Sequence, residues 1–248
     1  MRIEPNLYLI GSGQSGFDLT DRYDCNIYLF DAGDSYVIFD AGAGLGTVQI
    51  LAICAQDEID LQRPVHLFLT HAHTDHSGGA AHLAEQLPML QLYAGPETAA
   101  IVRTANEAAV SLPLARESGM YPLDYHYRAC PVDHIVTAGQ PLQIGALTIE
   151  PIATPGHSHD HYSYVVAGIN RKRYLIAGDA IFFGGKIVLQ HTYDCSVPQS
   201  IATIQQLQIL AFDALLPGHL NFSLQNGKRH IELACATIAH MGCPPSIG

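Results

Sequence analysis

Basic residues are scarce in this chain. Twelve Lys and Arg stand against 23 Asp and Glu among 248 residues, a formal net charge of −11. Such a surface repels phosphate backbones, which excludes nucleic acid as the expected ligand and, by the same electrostatics, anionic membranes. The one cationic cluster, "RKR" at 171–173, sits between two strand-like runs and reads as a solvated hairpin turn. No apolar stretch reaches the length of a membrane span. The opening "MRIEPNLYLIGSG" lacks the apolar core of a signal peptide. No Pro/Gly/Ser linker and no low-complexity tract divide the chain. The six cysteines (Cys25, Cys54, Cys130, Cys195, Cys235, Cys243) form no C-x-x-C pair and follow no regular spacing. They read as reduced, mostly buried thiols of a cytoplasmic protein. Cys195, in the polar stretch "HTYDCSVPQ", is the one placed to approach a site.

What is present suffices for a full core. With 48% hydrophobic and 14% charged residues, one domain over 1–248 is expected. Short apolar runs at 7–10, 25–30 and 35–40 read as strands, the last two joined by a tight turn at "AGDS". After "DAGAGLG" (40–46), Val48, Leu51 and Ala52 suggest a helix over about 46–57. "VHLFLT" (65–70) is a buried strand, Ala80, Leu83, Ala84 and Leu87 mark an amphipathic helix, and "LQLYAG" (90–95) is a strand again. Residues 96–109 are helical by propensity. Residues 110–133 carry three prolines, Met120, Tyr121, Tyr125 and Tyr127 with no clean period. Together, about 96–133 reads as a lid-like insertion, since long irregular segments inside compact domains are usually functional or mobile. Strands resume at 141–154, 161–168 and 173–179. A helix follows at about 199–211 with Ile201, Ile204, Leu207 and Ala211 on one face, then a short strand at 214–217. A closing helix at about 227–241 carries Ile231, Ala234, Cys235, Ile238 and Met241 on one stripe. The order suggests two similar β-rich halves with outer helices.

Chemistry concentrates in "LFLTHAHTDHSGG" (67–79), where His71, His73, Asp75 and His76 fall within six positions directly after an apolar run. Three further runs end the same way: "LTIEPIATPGHSHDH" in His157, His159 and His161, "RYLIAGD" in Asp179, and "ALLPGH" in His219. Strand ends aim loop residues at one crevice. Imidazole and carboxylate are ligands for zinc, iron and manganese. His71 and His73, two apart on extended backbone, point the same way. Asp75 and His76 follow at the turn and can face a second point, and Asp179 is a candidate bridging carboxylate between two ions. A lone histidine in a chain with 14 is ordinarily a surface or hydrogen-bonded residue, and His66, His82, His126, His134, His230 and His240 are read so. His159 and His161 stand between the two readings, as pocket lining or as hydrogen-bonded support for ligands.

"THAHTDHSGG" resembles the H-x-H-x-D-H signature of the metallo-β-lactamase superfamily, and "TPGHS", "AGDAIFFGG" and "LPGH" resemble its remaining ligand motifs, in the same order. The resemblance covers essentially the whole chain. It implies an α+β fold, a four-layer αββα sandwich of two mixed β-sheets flanked by helices. It also implies two divalent metal ions, zinc first, with iron or manganese as alternatives. His71, His73 and His157 would hold one ion, Asp75, His76 and His219 the other, and Asp179 would bridge them. A bridging hydroxide, oriented by Asp75, would attack a small ester, thioester or lactone, with phosphoesters and β-lactams as side substrates.

Within the superfamily the chain is similar to glyoxalase II in every ligand and in the "GD-x-x-F-x-GG" pattern. That family adds a long helical extension after the last ligand, whereas 29 residues (220–248) follow His219 here. Acyl-homoserine lactonases share the seven ligands and a middle insertion. Their catalytic tyrosine, three residues after the bridging aspartate, corresponds to Phe182. Phe182, Tyr162, Lys186, His159 and Phe222 are the candidate substrate-binding residues. The rival reading is a persulfide dioxygenase, which resembles this chain in motif and uses one iron on what would be His71, His157 and Asp179. The expected partners are a small-molecule substrate and, at most, a second copy of the chain in a homodimer.

Overall fold

The computed structural model describes residues 1–247, which fall into two compact units, one up to residue 136 and one from residue 137 onward. Each unit is built on one mixed sheet with helices in its crossovers, as the family resemblance implies.

In the first unit, β1 (Arg2–Glu4), β2 (Leu7–Gly11), β3 (Ile27–Asp31) and β4 (Tyr36–Phe39) form an antiparallel meander. The direction then changes. Helix α1 (Thr47–Gln56) carries the chain to β5 (Val65–Phe68), and α2 (Thr74–Ser77) and α3 (Ala80–Gln86) carry it to β6 (Leu90–Ala94). Helices α4 (Pro96–Thr104) and α5 (Leu112–Glu117) lead to β7 (His134–Ile135). From β4 onward the strands pair in parallel, because a parallel neighbour needs a long crossover and these helices supply it. The sheet order is β1 to β7 in sequence. Strand β4, "YVIF", is buried at every position, the continuous apolar run expected of a strand covered on both faces.

In the second unit, β8 (Leu142–Ile144), β9 (Leu147–Ala153), β10 (Tyr162–Ala167) and β11 (Tyr174–Gly178) are antiparallel neighbours. Helix α6 (Val197–Ile209) then crosses over to β12 (Ala214–Pro217), which lies parallel to β11, and α7 (Lys228–Ala239) follows. The core of this unit gathers Val165, Leu175, Ile181, Ile204, Leu207 and Ile231. Each such side chain taken fully out of water contributes about 1.5–3 kcal/mol.

Several expectations are corrected. The helix predicted over 96–109 stops at Thr104, where Ala105 turns left-handed at φ 50. Residues 112–117, expected to be irregular, form α5. The strand predicted over 141–154 is a hairpin, broken at Gly145 with φ 51. On α1 the buried face is Thr47, Ile50 and Cys54, while Val48 is 77% exposed. The apolar spacing misassigned that face because Thr and Cys pack inward where the count expected Val and Leu. Met241 lies beyond α7 and is exposed, since the helix ends at Ala239 and Met241 itself turns left-handed. The trio at 171–173 does form the turn between β10 and β11, but Arg173 Nε donates to Ala211 O (2.8 Å) and Lys172 Nζ to Leu224 O (3.1 Å), so two of its cations are docked on carbonyls. All six cysteines are unpaired thiols. Among the described residues, no helix is long and apolar enough to cross a membrane.

Candidate metal centre

In the first unit, β5 runs straight into the histidine cluster. His71 and His76 are fully buried, His73 nearly so, and the Asp75 side chain is 26% exposed. The His71 ring lies 4.6 Å from that of His73 and 4.2 Å from that of His76, centroid to centroid. The four-residue helix α2 begins after His73 and presents Asp75 and His76 on its first turn.

Asp40, directly after β4 and held at φ 63, orients this cluster. Its Oδ1 accepts the Thr70 backbone N–H at 2.8 Å, and its Oδ2 accepts His76 Nδ1–H at 2.8 Å. The Thr70 hydroxyl lies 2.9 Å from Oδ2 and 2.9 Å from His71 Nδ1. A carboxylate only accepts, so the hydroxyl gives its proton to Asp40 and receives one from His71. Both imidazoles therefore carry their proton on Nδ1 and offer Nε2 as the ligand atom, the tautomer that a carboxylate behind a ligating histidine fixes. No sequence motif singled out Asp40. The signal was there: it ends a strand ahead of a glycine-rich break, as Asp179 does. Cys25 Sγ, an Asp40 oxygen and a His76 nitrogen lie within 4.8 Å of one another. Burial pushes the Cys25 thiol up to about 12, and Asp40 and His76 already share a proton, so this trio is a hydrogen-bonded hub and a poor cation site.

The segment after α5 braces the same loop. Tyr125 Oη donates to Ala43 O at 2.6 Å. Tyr127 Oη lies 2.6 Å from Ser77 Oγ, whose own proton goes to Ala72 O. Tyr121 stacks on Tyr23 at 4.9 Å. These tyrosines are buried, and burial raises the pKa of all three hydroxyls, so they stay protonated. Leu114, Met120 and Leu123 remain exposed. The insertion is thus pinned to the ligand loop at its tyrosines. Asp24 anchors the loop from the other side, accepting from Ala43 N–H (2.8 Å) and the Thr20 hydroxyl (2.7 Å); burial pushes its carboxyl up to about 6. Gly79 packs so tightly that a Cβ there would stand 2.0 Å from Ala41 O, which only glycine avoids.

In the second unit, three strand ends converge on Asp179. His157 follows β9, Asp179 follows β11, and His219 follows β12. The Nε2 atoms of His157 and His219 stand 3.4 Å and 3.5 Å from the same oxygen, Asp179 Oδ2. Gly218 N–H donates to Gly178 O at 2.8 Å and ties two of these ends together. His161 is the support. Its Nε2 accepts the Asp179 backbone N–H at 3.0 Å, so its proton sits on Nδ1 and goes to Thr154 Oγ1 at 2.7 Å. Thr154 passes its own proton to Ser163 Oγ (2.9 Å), and Ser163 donates to Ala177 O. His161 therefore buttresses a candidate ligand.

Of the candidate substrate-binding residues, Phe182 is fully buried, its ring 6.1 Å from that of His219, and Tyr162 is buried at the start of β10. Lys186 and His159 are exposed, the latter edge-on to Tyr193 at 5.7 Å, and Phe222 is half-buried. Cys195 is partly buried in the loop before α6.

The donor set fits a divalent cation. Separations of 3.4 and 3.5 Å between a carboxylate oxygen and imidazole nitrogens are longer than good hydrogen bonds. They match the spacing of two ligand atoms on one tetrahedral ion, about 3.3 Å for bonds of about 2.0–2.1 Å. In the first unit, Nδ1-protonated imidazoles leave Nε2 as a ligand.

The chain belongs to the metallo-β-lactamase superfamily, whose family model matches residues 20–219, a span that runs through both units. Among its relatives, a hydroxyacylglutathione hydrolase of Yersinia enterocolitica is 30% identical over 200 residues, 81% of this chain and 62% of that one. A hydroxyacylglutathione hydrolase of Serratia proteamaculans is 27% identical over 84% of this chain and 70% of its own length. The chain thus spans less than two thirds of the Yersinia relative. A metallo-β-lactamase of Cronobacter sakazakii with an HARLDQ motif superposes with a TM-score of 0.74 at 18% identity, covering 97% of this chain and 93% of that one. That likeness shows the fold, two mixed sheets with helices, to be the metallo-β-lactamase fold.

Proposed function

We propose that this protein is a metal-dependent hydrolase of small esters, thioesters or lactones, working through a dinuclear centre. His71, His73 and His157 would hold one ion, Asp75, His76 and His219 the other, and Asp179 would bridge them. The observation that carries this reading is the single Asp179 oxygen faced by two imidazoles from separate strands, the arrangement a bridging carboxylate requires.

Two divalent ions bound there would bring the pKa of a water toward 7 and polarise the carbonyl under attack. The chain's own residues do the rest. Asp75, the most exposed of the acidic ligands, orients the attacking water. Asp40 and Thr70 hold His71 and His76 in the ligating tautomer, and His161 holds Asp179 by its backbone. Thioesters head the substrate classes because the Yersinia and Serratia relatives carry the name of a thioester hydrolase. The net charge of −11 supports a small-molecule substrate over nucleic acid.

The test is a panel of thioesters, lactones, β-lactams and phosphotriesters, run on protein of measured metal content. About two zinc ions per chain with thioester or lactone turnover, abolished by chelation and restored by zinc, is the expected result. One iron per chain with oxygen uptake would overturn it in favour of persulfide-type oxidation.

A further inference from the structure

His230, on the first turn of α7, is fully buried and uses both ring nitrogens. Its Nδ1 accepts the Gly184 backbone N–H at 2.9 Å, and its Nε2 lies 2.7 Å from Ser223 Oγ. A backbone amide can only donate, so Nδ1 is unprotonated and the ring proton sits on Nε2, directed at Ser223. The ring also packs against Phe183, 4.5 Å between centroids.

Both of its partners stand close to the candidate ligands of this unit. The hairpin Phe182–Lys186 begins three residues after Asp179 and closes through Phe182 N–H to Lys186 O at 2.8 Å. Its tip rests on α7 so closely that a Cβ on Gly185 would come within 2.7 Å of His230 O. Ser223 lies four residues after His219 and exchanges backbone hydrogen bonds with Leu215 of β12, at 2.8 and 2.9 Å. Phe182 and His219, the ends of these two segments that approach each other, have ring centroids 6.1 Å apart. The imidazole is thus one rigid link from α7 to the loop after Asp179 and to the loop after His219. Burial alone would be met by any apolar ring. A histidine with both nitrogens engaged sets the separation of the two loops as well.

We infer that His230 is a positioning residue that fixes the wall of the substrate site, holding the Phe182–Lys186 hairpin in register with the His219–Ser223 loop. It touches no reacting atom. The inference rests on the proposed hydrolytic reading only for where substrate binds.

The experiment compares His230→Phe, His230→Asn and Ser223→Ala in metal-loaded full-length protein, by hydrogen exchange and steady-state kinetics. Phe keeps the ring and removes both bonds. Asn restores an acceptor where Nδ1 stood. His230→Phe is expected to speed exchange of the 182–186 segment about tenfold, the effect of one lost hydrogen bond of about 1.4 kcal/mol. It should raise KM by a similar factor, with kcat changed less than about threefold and metal content unchanged. His230→Asn should return both readouts most of the way, and Ser223→Ala should loosen the 219–223 segment alone. Unchanged exchange and KM in His230→Phe would overturn the inference, as would a joint fall of kcat and metal content. If His230→Phe fails to fold, Ser223→Ala and His230→Asn decide. If the wild type hydrolyses nothing on the panel, the hydrolytic reading fails by itself, while the exchange measurement still tests the link.

Discussion

The two units prepare their candidate ligands by different means. In the first, four candidate ligands sit within six residues, and one buried carboxylate, Asp40, sets the tautomer of two of them directly or through Thr70. In the second, three candidate ligands come from the ends of three strands spread over more than 60 residues, and a neutral relay of His161, Thr154 and Ser163 holds the central one by its backbone. The first half is oriented electrostatically and the second by geometry. A charge hub acts on side-chain protonation. A backbone tether acts on where the carboxylate stands.

Asp179→Ala removes the oxygen that both His157 and His219 face. It should lower metal content by at least one ion per chain and turnover by about a thousandfold or more, read by elemental analysis and kinetics. Retained turnover would contradict the bridge. Asp40→Ala should weaken metal affinity about 10–100-fold, the usual cost of losing a partner behind a ligating histidine. His161→Phe should cost less, about tenfold, because it removes one neutral hydrogen bond to the backbone of Asp179. Competition with a chromogenic chelator measures both, and equal losses would erase the distinction between the two halves. Smallest of all, Tyr127→Phe removes the hydroxyl bonded to Ser77 and should lower unfolding stability by about 1 kcal/mol in urea. Loss of metal in that variant would show that the tyrosine brace belongs to the ligand machinery.

Much of this was legible in the chain. "HAHTDH" is local, so its density of ligands stands out against 14 histidines. "PGH", "AGD" and "LPGH" each close an apolar run, and strand ends are visible wherever strands are. Helices alternating with strands point to two β-rich halves with outer helices, but which strands pair in parallel came only from the structure. Asp40 does not stand out in the sequence because its partners lie 30 and 36 residues away, at Thr70 and His76, and a lone aspartate at a turn has many ordinary uses. Tyr125 and Tyr127 looked like part of an irregular lid. Their hydroxyls reach Ala43 and Ser77, 82 and 50 residues back, which no local pattern encodes. His230 looks ordinary in the sequence for the same reason: its partners at Gly184 and Ser223 are set by the fold.

By itself the sequence determined which residues offer metal-binding chemistry and which strands they follow, because residue type and apolar periodicity are local properties of the chain. The tertiary structure decided how those side chains are protonated, braced and spaced. Hydrogen bonds such as Asp40 to His76 or His230 to Gly184 join residues far apart in sequence, and their geometry exists only once each sheet has closed.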